Sequence, residues 1–289
     1  MTAPRTVTMV RTLAAPAARV YAALTAGALL ARWMTAPPYR VAEAFTEPRV
    51  GGAYRVRVVG PDGDEHLTTG TFLELVPNAR VVQSWRYEGS FGRDDTPTEV
   101  TFTLRALGPA LTELTLVHAR ILPGLAHYDH VEAGWEECLA ALETLLDDDV
   151  VLVRVERRVA ASPARAFDAW TDAAVLGRWM GGTGELLEAT ADARPGGSLR
   201  LVVRRDGDVV AHEGEYVEFD RPRRLAFTWA IPAFSEDRDL VRVTFAPDGD
   251  GCAMTLVHRM GKQWAEYAER SGAAWGELAD VVAASLTPS

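Results

Sequence analysis

Hydrophobic residues recur along this chain with two periods, one typical of strands and one typical of helices. Two β-branched stretches, VTMVRTLAA near the start and VVLVRVERRVAA past the middle, each predict a strand, and a helical pattern follows each of them. In the first helical pattern Val20, Tyr21 and Leu24 recur at helical spacing after a proline. A second short helix follows and ends in the letters RWM in both places. Each half of the chain is therefore predicted to open with a strand and two short helices.

Segments that alternate between apolar and polar residues fill the middle of each half. In the first half they are AYRVRVV, TTGTFLELV, ARVVQSWRY, TEVTFTLRA and TELTLVHA, separated by turn-forming pairs such as Asp62-Gly63. Period-two alternation punctuated by such turns predicts an antiparallel meander. A long amphipathic helix then closes each half, at about residues 127–146 and 264–286. In each half we expect this helix to pack against the sheet formed by the same half.

The two halves also repeat in sequence. Residues 11–34 align without a gap to residues 157–180, and 12 of these 24 positions are identical. The correspondence continues through matched motifs and aromatic residues: Trp85 with Trp229, the VTF at 100 with the VTF at 243, His118 with His258, and Trp135 with Trp275. A period near 145 residues is the size of a domain and indicates a duplication. We expect one domain at residues 1–148 and a second at residues 149–289.

This order of elements, present twice, resembles the START/Bet v 1-like (SRPBCC) superfamily, and within it the AHSA1-like branch (activator of Hsp90 ATPase homologue). The resembling features are the Arg-x-x-x-Ala-x-x-x-x-Val-Tyr entry, the RWM helix end, the Gly-Gly before a strand, the LTLVH strand and the Gly-Trp of the last helix. The resemblance implies an α+β fold of two tandem helix-grip domains. In each, a curved antiparallel sheet would wrap around a long C-terminal helix, with two short helices after the first strand. Such domains often enclose a cavity between sheet and helix.

Composition and charge exclude several classes of protein. The chain has 289 residues and a net charge of -10, with 13 basic and 19 acidic side chains up to Asp149 and 17 and 21 after it. Because both halves are acidic, we expect no nucleic-acid partner. No apolar run reaches the roughly 18 residues that a membrane span needs, so we expect a cytoplasmic protein without a membrane partner. Two cysteines at unrelated positions, Cys138 and Cys252, fit neither a disulfide framework nor a metal cluster.

Two local motifs could suggest ion binding. Two glycine pairs, Gly51-Gly52 and Gly196-Gly197, could belong to a phosphate-binding loop. Such a loop precedes a helix, whereas each of these pairs precedes a predicted strand, so a tight turn is favoured. His127 and His130 have a spacing that can serve a metal, yet the second copy has Tyr267 and Arg270 there. A solvated helix start explains the pair better, and we expect no metal and no cofactor.

Candidate ligand-contacting residues follow from strand phase and from the repeat. The histidines that end the LTLVH strands share a face with apolar residues, which fits a satisfied core histidine or a polar group of a pocket. Inward-facing aromatic residues of the sheet and the last helix can be core and cavity wall together. Arg86 and Thr228 are further polar candidates in the first and second copy. The cavity candidates are Gln83, Trp85, Tyr87, Phe102, His118 and Trp135 in the first copy, and Phe227, Trp229, Phe245, His258 and Trp275 in the second.

Three functions remain open from the sequence. Binding of a hydrophobic or aromatic small molecule between sheet and helix demands only what the residues show, and the resemblance allows an accessory role in natural-product (enediyne or polyketide) biosynthesis or self-resistance. A polyketide aromatase/cyclase-like enzyme is the alternative, although no nucleophile system is recognisable and no catalytic residue is assigned. An Hsp90 co-chaperone is a minor alternative, and the sequence leaves any protein partner unknown. Because the mouth loops differ, we predict an open pocket in one copy and a more filled one in the other.

Overall fold

The structure is a computed structural model that describes residues 4–122, 128–235 and 237–286. The chain divides into two units, Met1–Asp148 and Asp149–Ser289. Each unit has a large antiparallel sheet and a long C-terminal helix, which confirms the tandem helix-grip α+β fold. No helix within the described part of the chain is long and apolar enough to cross a membrane.

The first unit contains eight strands and three α-helices in its described residues. They are β1 (Arg5–Leu13), α1 (Ala17–Thr25), α2 (Gly27–Leu30), β2 (Arg40–Thr46), β3 (Ala53–Val59), β4 (Glu65–Val76), β5 (Arg80–Gly89), β6 (Gly92–Arg93), β7 (Thr98–Gly108), β8 (Leu111–Ile121) and α3 (Val131–Leu146). The strands lie in the order β1-β8-β7-β5-β4-β3-β2, and β6 pairs with β5. All neighbours in this sheet are antiparallel.

Over residues 149–235 and 237–286 the second unit repeats this plan with seven strands and three α-helices. They are β9 (Val150–Val159), α4 (Pro163–Ala169), α5 (Ala173–Gly181), β10 (Glu185–Ala191), β11 (Ser198–Arg205), β12 (Asp208–Asp220), β13 (Arg224–Trp229), β14 (Asp239–Asp248), β15 (Gly251–Gly261) and α6 (Ala268–Leu286). Their order is β10-β11-β12-β13-β14-β15-β9. A 3₁₀ segment, Lys262–Tyr267, precedes α6, so the closing α-helix begins a few residues later than its apolar pattern predicts.

The closing helix fills the concave side of each sheet. In the first unit Trp135, Leu139 and Leu142 of α3 are almost fully buried and join the same apolar core as the inward faces of the strands. Burial of such side chains stabilises the domain by about 1.5–3 kcal/mol each relative to exposure. Trp275, Leu278 and Val282 have the same role in α6. Sheet and helix together thus enclose the space in which a ligand could lie.

The glycine pairs form turns, as expected from their position before a strand. Gly51 and Gly196 have φ of 77° and 75°, in the left-handed region that favours glycine. A Cβ on Gly52 would lie 2.1 Å from the carbonyl oxygen of Glu47, and one on Gly197 would meet the backbone equally closely. The turns therefore require glycine for backbone geometry, which leaves no reason to assign them a phosphate.

The strand register corrects one part of the repeat alignment. The two VTF motifs suggest that Phe102 matches Phe245, but Val100 pairs with His118 whereas Val241 pairs with His258. Phe102 therefore corresponds to Val243, two residues away from the match by letters. By the same register, Thr98 in the first unit corresponds to Asp239 in the second, and both residues contact the histidine of their unit.

Candidate functional site

A cavity of about 320 Å³ lies between the sheet and α3 in the first unit. Strands β3, β4, β5 and β8 form its floor, and one face of α3 forms its roof. It is lined by Met34, Val56, Val58, Thr68, Trp85, Tyr87, Phe91, His118, Tyr128, His130, Val131, Gly134, Trp135 and Cys138. The lining is mainly apolar and aromatic with a few polar atoms, which is the usual composition of a small-molecule site.

Four of the six first-copy candidates line this cavity: Trp85, Tyr87, His118 and Trp135. The other two, Gln83 and Phe102, border a smaller space of about 10 Å³, whose wall also includes Met34 and Val56. Arg86 is exposed because it points to the opposite side of β5 from its two neighbours.

Two indole rings form the aromatic wall of the cavity. Trp85 on β5 and Trp135 on α3 have ring centroids 5.2 Å apart, with their planes at 53°. Phe102 contacts Trp135 edge-on, with ring centroids 6.0 Å apart. Trp33 of the RWM segment does not line the cavity, and its Nε1 donates to the carbonyl oxygen of Ala23 at 2.9 Å. That bond fastens the turn after α2 to α1.

His118 is held in one tautomer at the inner end of the cavity. The Nε1–H of Trp135 donates to its Nδ1 at 3.1 Å, and an indole can only donate. Its proton is therefore on Nε2, which lies 2.7 Å from Oγ1 of Thr98. Burial lowers the pKa of His118 to about 4, so the ring is neutral near pH 7. His118 therefore fits both interpretations made from the sequence. It is a core residue whose ring nitrogens are hydrogen-bonded, and it also faces the cavity.

A buried carboxylate holds two further residues of the cavity wall in place. Oδ2 of Asp94 accepts a hydrogen bond from the Tyr128 hydroxyl at 2.7 Å and another from the backbone N–H of Tyr87 at 2.7 Å. Asp94 is only 1% exposed. Burial raises the pKa of Tyr128 well above its ordinary value, so its phenol keeps its proton. The cavity therefore has fixed polar groups on an otherwise apolar surface.

The sequence analysis missed a hydrogen-bonded group at the rim of the cavity. His66 on β4 lies with Nδ1 2.6 Å from the Tyr87 hydroxyl and with Nε2 2.6 Å from Oδ2 of Asp64. Asp64 and His66 belong to the turn and strand that follow β3, whereas Tyr87 comes from β5. One signal was present in the sequence, since the second copy has the apolar residues Val210 and Ile231 where the first has His66 and Tyr87.

The second unit places aromatic rings in the corresponding region. Three tryptophans pack together there, with Trp229 5.1 Å from Trp275 and Trp179 stacked on Trp275 at 5.5 Å and 20°. Phe227 also contacts Trp275, at 6.2 Å. Phe245 lies apart from this group because it packs against Phe167 of α4.

Trp170 and Trp179 both have surroundings that differ from those of their counterparts in the first unit. The counterpart of Trp170 in the first unit is Leu24, a smaller residue. Trp170 is 1% exposed and its Nε1 contacts the sulfur of Met254, so it fills the region beside α4. Trp179 turns instead toward α6, whereas its counterpart Trp33 binds back to α1.

The histidine of the second unit keeps the same tryptophan bond. Trp275 Nε1 donates to Nδ1 of His258 at 2.9 Å, and Nε2 lies 3.3 Å from the Asp239 carboxylate. Thr228 points to the other side of β13, where its hydroxyl accepts from the backbone of Glu215. Neither unit holds a metal-binding group of three or more ligands among its described residues. His127 lies outside the described residues.

Comparison with known proteins places each unit in one family. The sequence profile described as "Activator of Hsp90 ATPase homolog 1-like protein" matches residues 14–147 and again residues 160–286. No curated protein sequence matches the chain.

Solved structures resemble either one unit or both. The protein CV1439 from Chromobacterium violaceum is 29% identical over 50% of this chain and 98% of its own, with a TM-score of 0.44. CalU16 from Micromonospora echinospora is 25% identical over 50% of this chain and 76% of its own, with a TM-score of 0.38. A structure described as the di-domain ARO/CYC BexL from the BE-7585A biosynthetic pathway matches 99% of both chains at 18% identity, with a TM-score of 0.40.

Proposed function

This chain belongs to the activator of Hsp90 ATPase homolog 1-like family, in two tandem copies, and on that premise we propose that its first unit binds an aromatic small molecule between the sheet and α3. The observation that carries the proposal is the 320 Å³ cavity with two indole rings on its wall. Its size is at the lower end of the range for small-molecule pockets, which fits a ligand of two fused rings.

Two fixed polar groups would orient the ligand. The hydroxyls of Tyr87 and Tyr128 reach the cavity from β5 and the segment before α3, whereas both ring nitrogens of His118 are already engaged by Trp135 and Thr98. Because their hydrogen bonds to His66 and Asp94 hold the two tyrosines in place, they add orientation without the entropy cost of ordering on binding. Apolar burial of about 25 cal/mol per Å² would supply most of the affinity.

A titration with 2-naphthol tests the proposal, with tryptophan fluorescence as the readout. Binding beside Trp85 and Trp135 should change their emission in a saturable way. Gly134 on α3 lines the cavity and has nothing within 4 Å of where a Cβ would be. We expect Gly134→Leu to extend over the cavity and weaken binding about tenfold or more, whereas Gly134→Ala should leave it within about twofold.

Both variants should fold, because leucine and alanine are better helix formers than glycine by roughly 0.5–1 kcal/mol. Circular dichroism and the unfolding midpoint check this directly. Binding to Gly134→Leu as tight as to the unchanged protein would place the ligand elsewhere and refute the proposal.

Two more specific functions are compatible with this proposal: an accessory role in natural-product biosynthesis or self-resistance, and an aromatase/cyclase-like activity. They differ in whether the ligand leaves the cavity chemically unchanged. Native mass spectrometry of the purified protein identifies a carried ligand by its mass, and incubation with that ligand then shows whether a new mass is formed. An unchanged ligand supports an accessory role, and a product that requires the protein supports an enzyme.

A further inference from the structure

We propose that Asp64, His66 and Tyr87 form a proton relay at the rim of the first unit's cavity, which would enable that cavity to catalyse keto–enol proton transfer on an aromatic ketone. The inference rests on the proposed function, because the ketone must first bind in the cavity. The relay is defined as the Asp64 carboxylate, the His66 imidazole and the Tyr87 hydroxyl.

The hydrogen bonds of the relay have a definite direction. An ionised carboxylate can only accept, so the Asp64 contact at 2.6 Å places the imidazole proton on Nε2 of His66. Nδ1 of His66 is then an acceptor, and it lies 2.6 Å from the hydroxyl oxygen of Tyr87. The phenol therefore donates to a base that a carboxylate orients from its other side. This is the arrangement that activates a hydroxyl in acid–base catalysis.

Tyr87 connects the relay to the cavity. Its side chain lines the cavity together with Thr68 and Phe91, whereas Asp64 is on the far side of the imidazole. Burial raises the pKa of the Tyr87 phenol, and a backbone hydrogen bond from Phe91 opposes that rise. Because the free phenolate is unfavourable, Tyr87 acts as a base only when its proton passes to His66.

Aromatic rings shield the imidazole of the relay from water. Phe91 stacks on His66 with ring centroids 5.0 Å apart, and Tyr39 contacts the imidazole from its edge at 5.5 Å. His66 is only 9% exposed. Low water access strengthens the electrostatic pairing of an imidazolium with the Asp64 carboxylate. The rim can therefore hold a transferred proton.

The second unit indicates that the fold does not require the relay. It has Val210 on β12 and Ile231 just after β13 at the positions of His66 and Tyr87, although it keeps an aspartate, Asp208, at the start of β12. The second unit thus has apolar residues in place of both polar side chains, which in the first unit lie at the cavity between the sheet and the closing helix. Their presence is better explained by chemistry than by folding.

The reaction balances without any added reactant. In the first step the Cα–H bond of the ketone breaks, the Tyr87 oxygen takes that proton, and the original hydroxyl proton of Tyr87 moves to Nδ1 of His66. The electron pair of the broken bond forms the enolate, and the Asp64 carboxylate stabilises the imidazolium. In the second step Tyr87 donates its proton to the enolate oxygen and recovers one from His66. The product is the enol, and the protein returns to its starting state.

Hydrogen–deuterium exchange at the benzylic α-carbon C1 of 2-tetralone, a bicyclic ketone with one aromatic ring, tests the relay. Proton NMR in D₂O measures the exchange rate with and without the full-length protein. General acid–base catalysis contributes typically about 10²–10⁴-fold, and we expect an acceleration in that range. Tyr87→Phe should lose at least about a hundredfold of it, and Asp64→Asn about tenfold.

Binding and a matched variant separate catalysis from structure. Tyr87→Phe keeps the ring, so its dissociation constant for 2-tetralone, measured by tryptophan fluorescence, should stay within about threefold while exchange is lost. Asp62→Asn changes an exposed carboxylate in the same turn and should exchange like the unchanged protein.

Two results would overturn the relay. One is exchange in Tyr87→Phe as fast as in the unchanged protein. The other is no acceleration at all, whether or not 2-tetralone binds. Binding without acceleration leaves the proposed cavity intact, and the 2-naphthol titration with Gly134→Leu decides that proposal independently.

Discussion

At the scale of single residues, duplication shows what each histidine does. His118 and His258 occur in both units and each accepts a hydrogen bond from the tryptophan of its closing helix. They are part of the shared fold. His66 and His212 each occur in only one unit, so their roles are specific to that unit. His212 stacks on Trp229 at 4.9 Å, and neither of its ring nitrogens has a hydrogen-bond partner among the described residues.

His212 makes the stability of the second unit dependent on acid. Burial lowers the pKa of His212 to about 4, while an unfolded histidine has a pKa near 6.5. The unfolded state therefore binds more protons between these values, and stability falls as the pH falls from about 6.5 to 4. We expect His212→Thr, which introduces the residue of the first unit, to remove roughly 2 kcal/mol of this loss at pH 4.5. Urea unfolding at pH 7 and pH 4.5 measures the difference.

The exposed His130 is the control for this prediction. His130→Gln should leave the change in unfolding free energy between pH 7 and pH 4.5 as it is. If His212→Thr loses as much stability on acidification as the unchanged protein, the buried imidazole of His212 is not the source of the effect. His118 titrates over the same range and should keep part of the dependence in every variant.

At the scale of elements, the two units differ in how a short helix begins. The Asp172 carboxylate accepts from the backbone N–H of Ala174 at 2.8 Å and so caps α5. Its counterpart Ala26 precedes α2 without a side-chain cap, although its backbone angles are similar. This difference coincides with the lengths of the helices, four residues for α2 and nine for α5.

Exchanging the caps should move stability in opposite directions. We expect Asp172→Ala to lower the free energy of unfolding by about 1 kcal/mol and Ala26→Asp to raise it by roughly 0.5–1 kcal/mol. Chemical denaturation followed by circular dichroism measures both. Ala26→Gln is polar but too long to cap, so it should give no gain. An equal gain from Ala26→Gln would show that capping is not the cause.

Periodicity predicts the first strand and most inner strands of each unit but misses the opposite edge of each sheet. Alternation located β3 to β5, β7 and β8 because one face of each is buried by the closing helix. It missed β2 and its counterpart β10, whose side chains are half-buried or exposed on both faces, so neither strand shows an alternation of buried apolar residues. The match of the two VTF motifs was wrong by two residues. Alternation could not reveal this error, because a shift of two residues keeps every side chain on the same face of the strand.

At the scale of the whole molecule, the two units use their shared fold differently. The first has the described cavity between its sheet and its closing helix, whereas in the second the ring of Trp179 lies against Trp275 of the closing helix. That Trp85 and Trp135 face this cavity could be predicted, because strand phase and the repeat both select them. The relay could not, because it joins a turn to a strand more than twenty residues away, and only the register brings Asp64 and Tyr87 to opposite sides of His66.

The difference between the units predicts one bound aromatic ligand per chain. Isothermal titration with 2-naphthol should give a stoichiometry near one. Trp179→Ala removes the ring that packs on Trp275 and should open a second site, raising the stoichiometry toward two. The same change should cost about 3–5 kcal/mol of stability in the second unit. A stoichiometry of two in the unchanged protein would contradict the prediction.

The paired indoles have an optical consequence. Trp85 and Trp135 lie 5.2 Å apart with planes at 53°, and Trp229 and Trp275 lie 5.1 Å apart at 60°. Chromophores this close and this tilted share their excited states, so each pair should contribute an exciton couplet to the circular dichroism of the protein. An aromatic ligand would disturb only the couplet of the first unit. The second pair is then a built-in reference, and occupancy can be followed without any label.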